Sequence, residues 1–447
     1  MKNISKFFLM AFLATATVAC NDDENVIEPA VEQPAASNVE VLKGAITSDM
    51  TLKADKKYLL QGFVYVVAPA KLTIEAGTLI RGDKDSKGTL IIERGAQIIA
   101  EGTAQKPIIF TSNQAKGNRH AGDWGGIIML GKAPANLPGT PVVEGGVDRP
   151  YGGTDANDNS GVVKYVRIEF GGIAFQPGNE INGLTMGGVG AGTTIDYVQV
   201  SFNGDDSFEW FGGTVNAKHL VAYANVDDMF DTDNGFSGKL QYLVGLSNPN
   251  IADVSKSNGF ESDNDASGST SSPQTKAIFS NVSLFGPLAT PTTAYDPNFG
   301  SGMHIRRNSS ISVHNALVAG WPTGLLLDGS LTQGNATANT LMYKHNVLAA
   351  NKTTLAVNTG STFDINNWFN DVAKANQIKT DYVSVKVEGG FIQNAPNFLP
   401  GSGSSLLTGG STAGLDSFFD NVTYVGAFST TDWTQGWTNF NPQNAEY

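Results

Sequence analysis

The chain has 447 residues, 51 of them Gly, a single Cys and a formal net charge of −13. That length buries a core easily, but the charge leaves no Lys/Arg stripe for phosphate contacts, which excludes nucleic acid as a partner, and the lone Cys20 excludes an internal disulfide. Charged residues make up 16%, below the roughly 25% usual in globular domains; short β-branched runs and frequent Gly give the profile of an all-β chain with many turns.

Lys2 and Lys6 flank the start of a short apolar stretch, residues 7–18, which reads as a signal peptide because it is too short to span a bilayer comfortably. It ends Thr17-Val18-Ala19-Cys20, which resembles a bacterial lipobox. The resemblance implies removal of residues 1–19, diacylglycerol on the Cys20 thiol and acylation of the new amine, a stable membrane anchor. An ordinary secretory signal with an incidental cysteine is the competing reading. Residues 20–40 open with Asn21-Asp22-Asp23-Glu24 and continue rich in Pro, Ala and Glu, a flexible tether. An acidic cluster behind a lipidated cysteine resembles the surface-export signal of Bacteroidota lipoproteins and implies the outer membrane, facing the exterior; a plain solvated linker is the alternative. No later segment is apolar enough to be transmembrane.

Residues 41–447 are expected to form one repetitive domain. Leu72-Thr73-Ile74, a Gly77 turn and Leu79-Ile80 make a strand-turn-strand unit, repeated at Leu90-Ile91-Ile92, Gly95 and Ile98-Ile99, with Ile108-Ile109-Phe110 following. Units spaced by about 20 residues mark a solenoid in which each coil stacks on the next. Tyr165-Val166-Arg167-Ile168 returns 32 residues later as Tyr197-Val198-Gln199-Val200. Weaker copies begin at His219, Tyr242, Asn281, Asn315 and Asn346, the last three suggesting a stacked amide ladder at a bend. A second strand aligns coil by coil: Leu184, Phe208, Phe230, Phe260, Met303 and Leu325 are predicted to point inward, and Thr185, Glu209, Asp231, Glu261, His304 and Leu326 outward. The fold class is therefore all-β, a right-handed parallel β-helix with long loops over 247–280 and 286–300. A short helix is expected within 363–378, and an aromatic C-terminal cap within 424–437. Tandem β-sandwiches are the alternative.

The units at residues 72–110, the repeats Asp205-Asp206-Ser207-Phe208-Glu209 and Asp227-Asp228-Met229-Phe230-Asp231, and the Trp-rich end resemble a family of exported Bacteroidota lipoproteins with a pectin-lyase-like β-helix. The resemblance spans roughly residues 40–440 and implies fold and location more than activity.

The two acidic repeats match at an offset of 22 residues, and Gly259-Phe260-Glu261-Ser262-Asp263 continues them. With strands about 4.8 Å apart, Glu209, Asp231 and Glu261 fall in one column with Asp233 and Asp263 beside it. Asp263-Asn264-Asp265 also has the oxygen spacing of half a calcium loop, without its closing Glu. Like charges so placed repel unless a cation or raised pKa relieves them, and Ca²⁺, taking six to eight oxygens, is the simplest relief. The metal-ligand candidates are thus Glu209, Asp231, Asp233, Glu261, Asp263 and Asp265; a solvated acidic face is the competing reading.

For catalysis, the pairs Asp205/Asp206 and Asp227/Asp228 with His304 and Arg306 resemble the carboxylate-plus-base sets of pectin-lyase-like enzymes. The hydrolase strings are nevertheless absent, since Met303 precedes His304 and Asn308 stands where Lys is expected. A structural pairing of Arg306 with Asp263 competes with a catalytic role. Trp124, Trp210 and Phe211 are the aromatics considered for sugar stacking. Three functions remain open: a surface-anchored lipoprotein scaffold that binds a ligand or partners an outer-membrane transporter, a polysaccharide lyase or hydrolase working on the acidic face, and a purely structural envelope protein.

Overall fold

The computed structural model describes residues 39–176 and 179–447, so the expected signal peptide, Cys20 and nearly all of the tether lie outside the described residues. Among the described residues no helix is long and apolar enough to cross a membrane. Twenty-five strands join, pair after pair in parallel, into one continuous sheet wound on itself. Among the described residues the first strand, Val39–Ile46, pairs only with Lys57–Val66. Turns between strands rest on glycines such as Gly77 and Gly95, whose φ of 89° and 86° a side chain would resist.

Three faces result. One, the cleft face, stacks Leu184–Gly187, Phe208–Phe211, Phe230–Asp233, Phe260–Ser262, Ser301–Ile305 and Thr323–Leu327 in the expected register. Leu184, Phe208, Phe230, Phe260, Met303 and Leu325 are all fully buried as one inward column. The rings of Phe208 and Phe230 stack at 5.5 Å, and those of Phe230 and Phe260 lie 5.2 Å apart.

The other two faces share long strands such as Gly161–Glu169 and Thr194–Ser201, each bent in its middle. The bend is made by one residue in the left-handed region: Tyr165, Tyr197, His219, Tyr242, Asn281, Asn315 and His345 have φ between 51° and 66°. Such a conformation costs about 1–2 kcal/mol for an ordinary residue. Stacking offsets it, with ring centroids 4.4 Å apart for Tyr165–Tyr197, 4.1 Å for Tyr197–His219 and 4.9 Å for His219–Tyr242. Where the stack ends, Asn takes over, being tolerant of this region. The expected amide ladder is therefore short. His345, not Asn346, continues the column, because Leu317 pairs with Val347. Asn346 instead accepts from the Ala316 amide and donates to the Val313 carbonyl.

The C-terminal segment departs from expectation. The aromatic stretch does not close the last coil; it runs back along the bend as a strap. Trp437 meets Tyr165 and Tyr197 edge-on and Trp433 meets His219. Three amide side chains hold it by reciprocal bonds to its backbone: Gln199 to Asn439, Gln241 to Asp420 and Asn315 to Ser411. The last coil is covered instead by the expected short helix, here Ile365–Phe369, whose Trp368 and Phe369 pack on Tyr343. A second helix, Ser330–Thr337, was not expected.

Candidate metal centre in an acidic cleft

One outward column of the cleft face changes chemistry along its length. It runs Ile91, Ile128, Thr185, Glu209, Asp231, Glu261, His304 and Leu326, each paired with the next. At its start, Ile91 and Ile128 are buried in a small separate core with Leu130, Val143, Tyr151 and Ile181. From Glu209 onward the covering segments bend away and leave a cleft of ≈650 Å³.

Ten carboxylates line that cleft against Lys256, Arg306 and Arg307. Asp206, Asp228 and Glu209 are 7%, 4% and 6% exposed, so most of this charge is out of water. Burial, followed by Asp205 and Asp228, drives Asp206 well above the ordinary carboxylate range. Burial with Glu144 and Asp231 does the same to Glu209, and burial with Glu261 and Asp263 to Asp231. Asp205 and Asp228 are raised likewise. Asp227 is pushed up to about 7 by burial, against the pull of its Ser255 hydroxyl partner.

Backbone amides fix part of the set. The Asp228 amide donates to Asp206 Oδ1 at 2.8 Å, and the Asn258 amide donates to Asp228 Oδ1. Asn182 donates to both Glu209 and Glu144. Two buried oxygens, Asp227 Oδ1 and Asp231 Oδ1, have no hydrogen-bond partner among the described residues.

Three groups bring carboxylate oxygens within 4.8 Å of one another: Asp205, Asp206 and Asp227; Asp206, Glu209 and Asp231; Asp228, Asp231 and Glu261. Of the ligands expected from sequence, Glu209, Asp231 and Glu261 take part. The acids expected as catalytic, Asp205, Asp206, Asp227 and Asp228, sit among them. Asp233, Asp263 and Asp265 do not join these groups. Asp233 lies two residues along the strand from Asp231, paired with Phe211, and burial beside Asp263 pushes it up to about 7. Asp263 accepts from Arg306 Nε at 2.8 Å and Arg307 Nη1 at 2.6 Å. Asp265 is turned into its own loop by the hydroxyls and amides of Ser267 and Ser269, which outweigh burial and hold it down at about 2. The half calcium loop is thus a self-satisfied turn. His304 lies between Glu261 and Asp328, at 3.6 and 3.3 Å. Arg306 spans Glu261 and Asp263, the structural pairing expected.

The residues suit a hard divalent cation. The donors in all three groups are carboxylate oxygens, the set that favours Mg²⁺, Ca²⁺ or Mn²⁺ over zinc or copper. Two of those carboxylates, Asp227 and Asp231, carry the partnerless buried oxygens.

No aromatic side chain lines the cleft among the described residues. Trp124 and Trp210 are fully buried, the former donating to the Glu169 carbonyl at 2.7 Å, and Phe211 packs against Tyr151. None of the three offers a sugar platform. Sequence reasoning also missed Glu144 and Asp253, which arrive on loops, and gave no role to Asn182 or to Lys256, which opens the third acidic repeat.

The fold is that of a pectate-lyase-type parallel β-helix, with its acidic cleft on one face. The chain belongs to the pectate-lyase-like beta helix domain family, whose model matches residues 44–438. It is similar to the crystal structure of pectate lyase Pel9A, with 12% identity over 81% of this chain and 88% of that chain and a TM-score of 0.41. It is also similar to the crystal structure of Dettilon tailspike protein, with 10% identity over 70% and 62% and a TM-score of 0.24. No curated protein matches the chain.

Proposed function

We propose that the cleft binds Ca²⁺ and, through it, an anionic polysaccharide. The observation that carries this reading is the pair of buried, partnerless carboxylate oxygens on Asp227 and Asp231, inside groups that otherwise repel. Asp206, Glu209 and Asp231, or Asp228, Asp231 and Glu261, would hold the ion, with Asp227 in the adjoining group, and the ion would supply positive charge for a uronate carboxylate. No aromatic side chain among the described lining residues offers a stacking face for a neutral sugar.

The test is calorimetry with and without chelator. Millimolar Ca²⁺ should raise the melting temperature, by an amount equivalent to about 2.7 kcal/mol at a hundredfold excess over Kd. Asp231→Asn should abolish the rise and, in chelator, stabilise the fold slightly by removing repulsion. An unchanged wild-type melting point would leave the column as surface charge only.

A second reading is β-elimination on the bound uronate. It is favoured by Lys256, which lines the cleft with no carboxylate partner among the described residues and donates only to the Pro297 carbonyl, at 3.2 Å. Arg306 is a poor proton acceptor: burial opposes its charge, but Glu261 and Asp263 hold its pKa above the ordinary arginine value. Unsaturated chain ends formed by wild type and lost in Lys256→Ala would distinguish a lyase from a binding protein.

The lipobox and acidic tether support anchorage through lipid on Cys20 at the outer membrane, outward-facing, where the cleft would present polysaccharide to a transporter. Cys20→Ser should release the protein from membranes with its melting temperature unchanged; a mutant that still fractionates with lipid would overturn the anchor.

A further inference from the structure

Neighbouring carboxylates of the cleft are oriented by different means. Asp206 Oδ1 accepts from the Asp228 amide and Asp228 Oδ1 from the Asn258 amide, so the coils' own backbone sets both. Asp227 has no such amide among the described residues. Its donor there is the Ser255 hydroxyl, 2.7 Å from Oδ2, while Oδ1 is the oxygen left without a partner. Ser255 is an exposed residue of the loop 253–256, all four residues of which line the cleft.

That loop is tied down beside the acid it serves. The Asp253 amide donates to the Val226 carbonyl at 3.1 Å and to Ser257 Oγ at 2.8 Å. Ser257 Oγ in turn donates to the same carbonyl at 2.6 Å. Val226 directly precedes Asp227, so loop and acid share an anchor. The tip closes with the Lys256 amide on the Asp253 carbonyl at 3.2 Å, and Lys256 takes a φ of 103°. Such a backbone persists in a residue other than glycine only where its surroundings over-determine it. The same turn decides where the hydroxyl hydrogen goes. Ser255 Oγ also lies 2.8 Å from Asp253 Oδ1, but that oxygen already accepts from the Ser255 amide at 2.8 Å. A serine has one hydrogen to donate, and Asp227 is the acid that lacks another donor.

We infer that Ser255 is a positioning residue for cation binding: its hydroxyl pins Asp227 Oδ2 and leaves Oδ1 for an ion shared with Asp205 and Asp206. The inference rests on the cation-dependent reading above, to which Asp206 connects this trio. A carboxylate with neither oxygen held turns about its last bond, and an ion that takes it must also fix it. A hydroxyl donor further favours the charged form that a cation needs.

The test is titration calorimetry with Ca²⁺ alone on wild type, Ser255→Ala and Ser255→Thr, beside melting temperatures in chelator. Ser255→Ala should weaken Ca²⁺ binding about tenfold, as for one hydrogen bond to a charged group. Its melting temperature in chelator should stay at that of wild type. Ser255→Thr keeps the hydroxyl and should bind Ca²⁺ as wild type does. Unchanged affinity in Ser255→Ala overturns the positioning role, whether or not its melting temperature falls. An equal loss in both variants also overturns it, tracing the effect to the shape of the loop. Failure of wild type to bind Ca²⁺ overturns the cation-dependent reading, and the role of Ser255 with it.

Discussion

Glu169 and Asp231 are carboxylates taken out of water on two faces of the same solenoid, and they are treated in opposite ways. Glu169 is 0% exposed under the strap, yet Arg167 lies at 3.2 Å and the Tyr447 hydroxyl donates to its oxygens at 2.7 and 2.8 Å. Burial lifts its pKa while Arg167 and Tyr447 pull it down. Asp231 has burial, Glu261, Asp263 and Asp233 all raising it, with Arg306 the weaker opposing charge. A buried charge is tolerated when paired and hydrogen-bonded and is costly when not. Where the chain supplies its own compensation, the site is structural; in the cleft Asp231 has only Arg306 set against three like charges.

Mutations on the two sides of one strand give the widest contrast. Phe230→Ala, on the inward face, should cost about 3–5 kcal/mol through a core cavity, whereas Asp231→Asn next to it should raise stability in chelator; small losses at Phe230 in urea unfolding would sink the inward register. A smaller effect is expected under the strap. Tyr447→Phe leaves Glu169 without its hydroxyl donor and should cost about 1–3 kcal/mol, and a neutral result would mean that the arginine alone suffices. The smallest effect is a pH dependence. Asp227 has a folded-state value of about 7 against an ordinary 3.8. The folded chain therefore holds this proton more tightly than the unfolded chain. The resulting stability is full below about pH 4 and is lost as pH rises through 7. In chelator, the advantage of Asp227→Asn over wild type should widen across that window and close again when Ca²⁺ is added.

The inward column was legible because large apolar residues recur with period two at matching offsets, and only stacked coils put them together. Glu209, Asp231 and Glu261 were legible for the same reason, being fixed to that register. Glu144 was not, because loops leave a coil without any periodicity to place them. Helix Ser330–Thr337 carries no acidic first turn and no side-chain cap; packing makes it helical, with Trp368 Nε1 donating to the Ala336 carbonyl. Trp124 and Phe211 show the limit of residue type: their burial depends on covering segments, which no local pattern reveals.

The strap has a consequence for how the molecule comes apart and together. A bare solenoid couples each coil only to its neighbours, so it can fray from one end. Here Tyr447 reaches Glu169, and Arg119 donates to the carbonyls of Pro442 and Ala445, contacts that cross more than 270 residues. They tie early coils to residues 442–447, turning a zipper into a closed loop whose parts melt together. Long-range closure of this kind slows folding, and the early coils cannot reach their final stability until residues 442–447 are available.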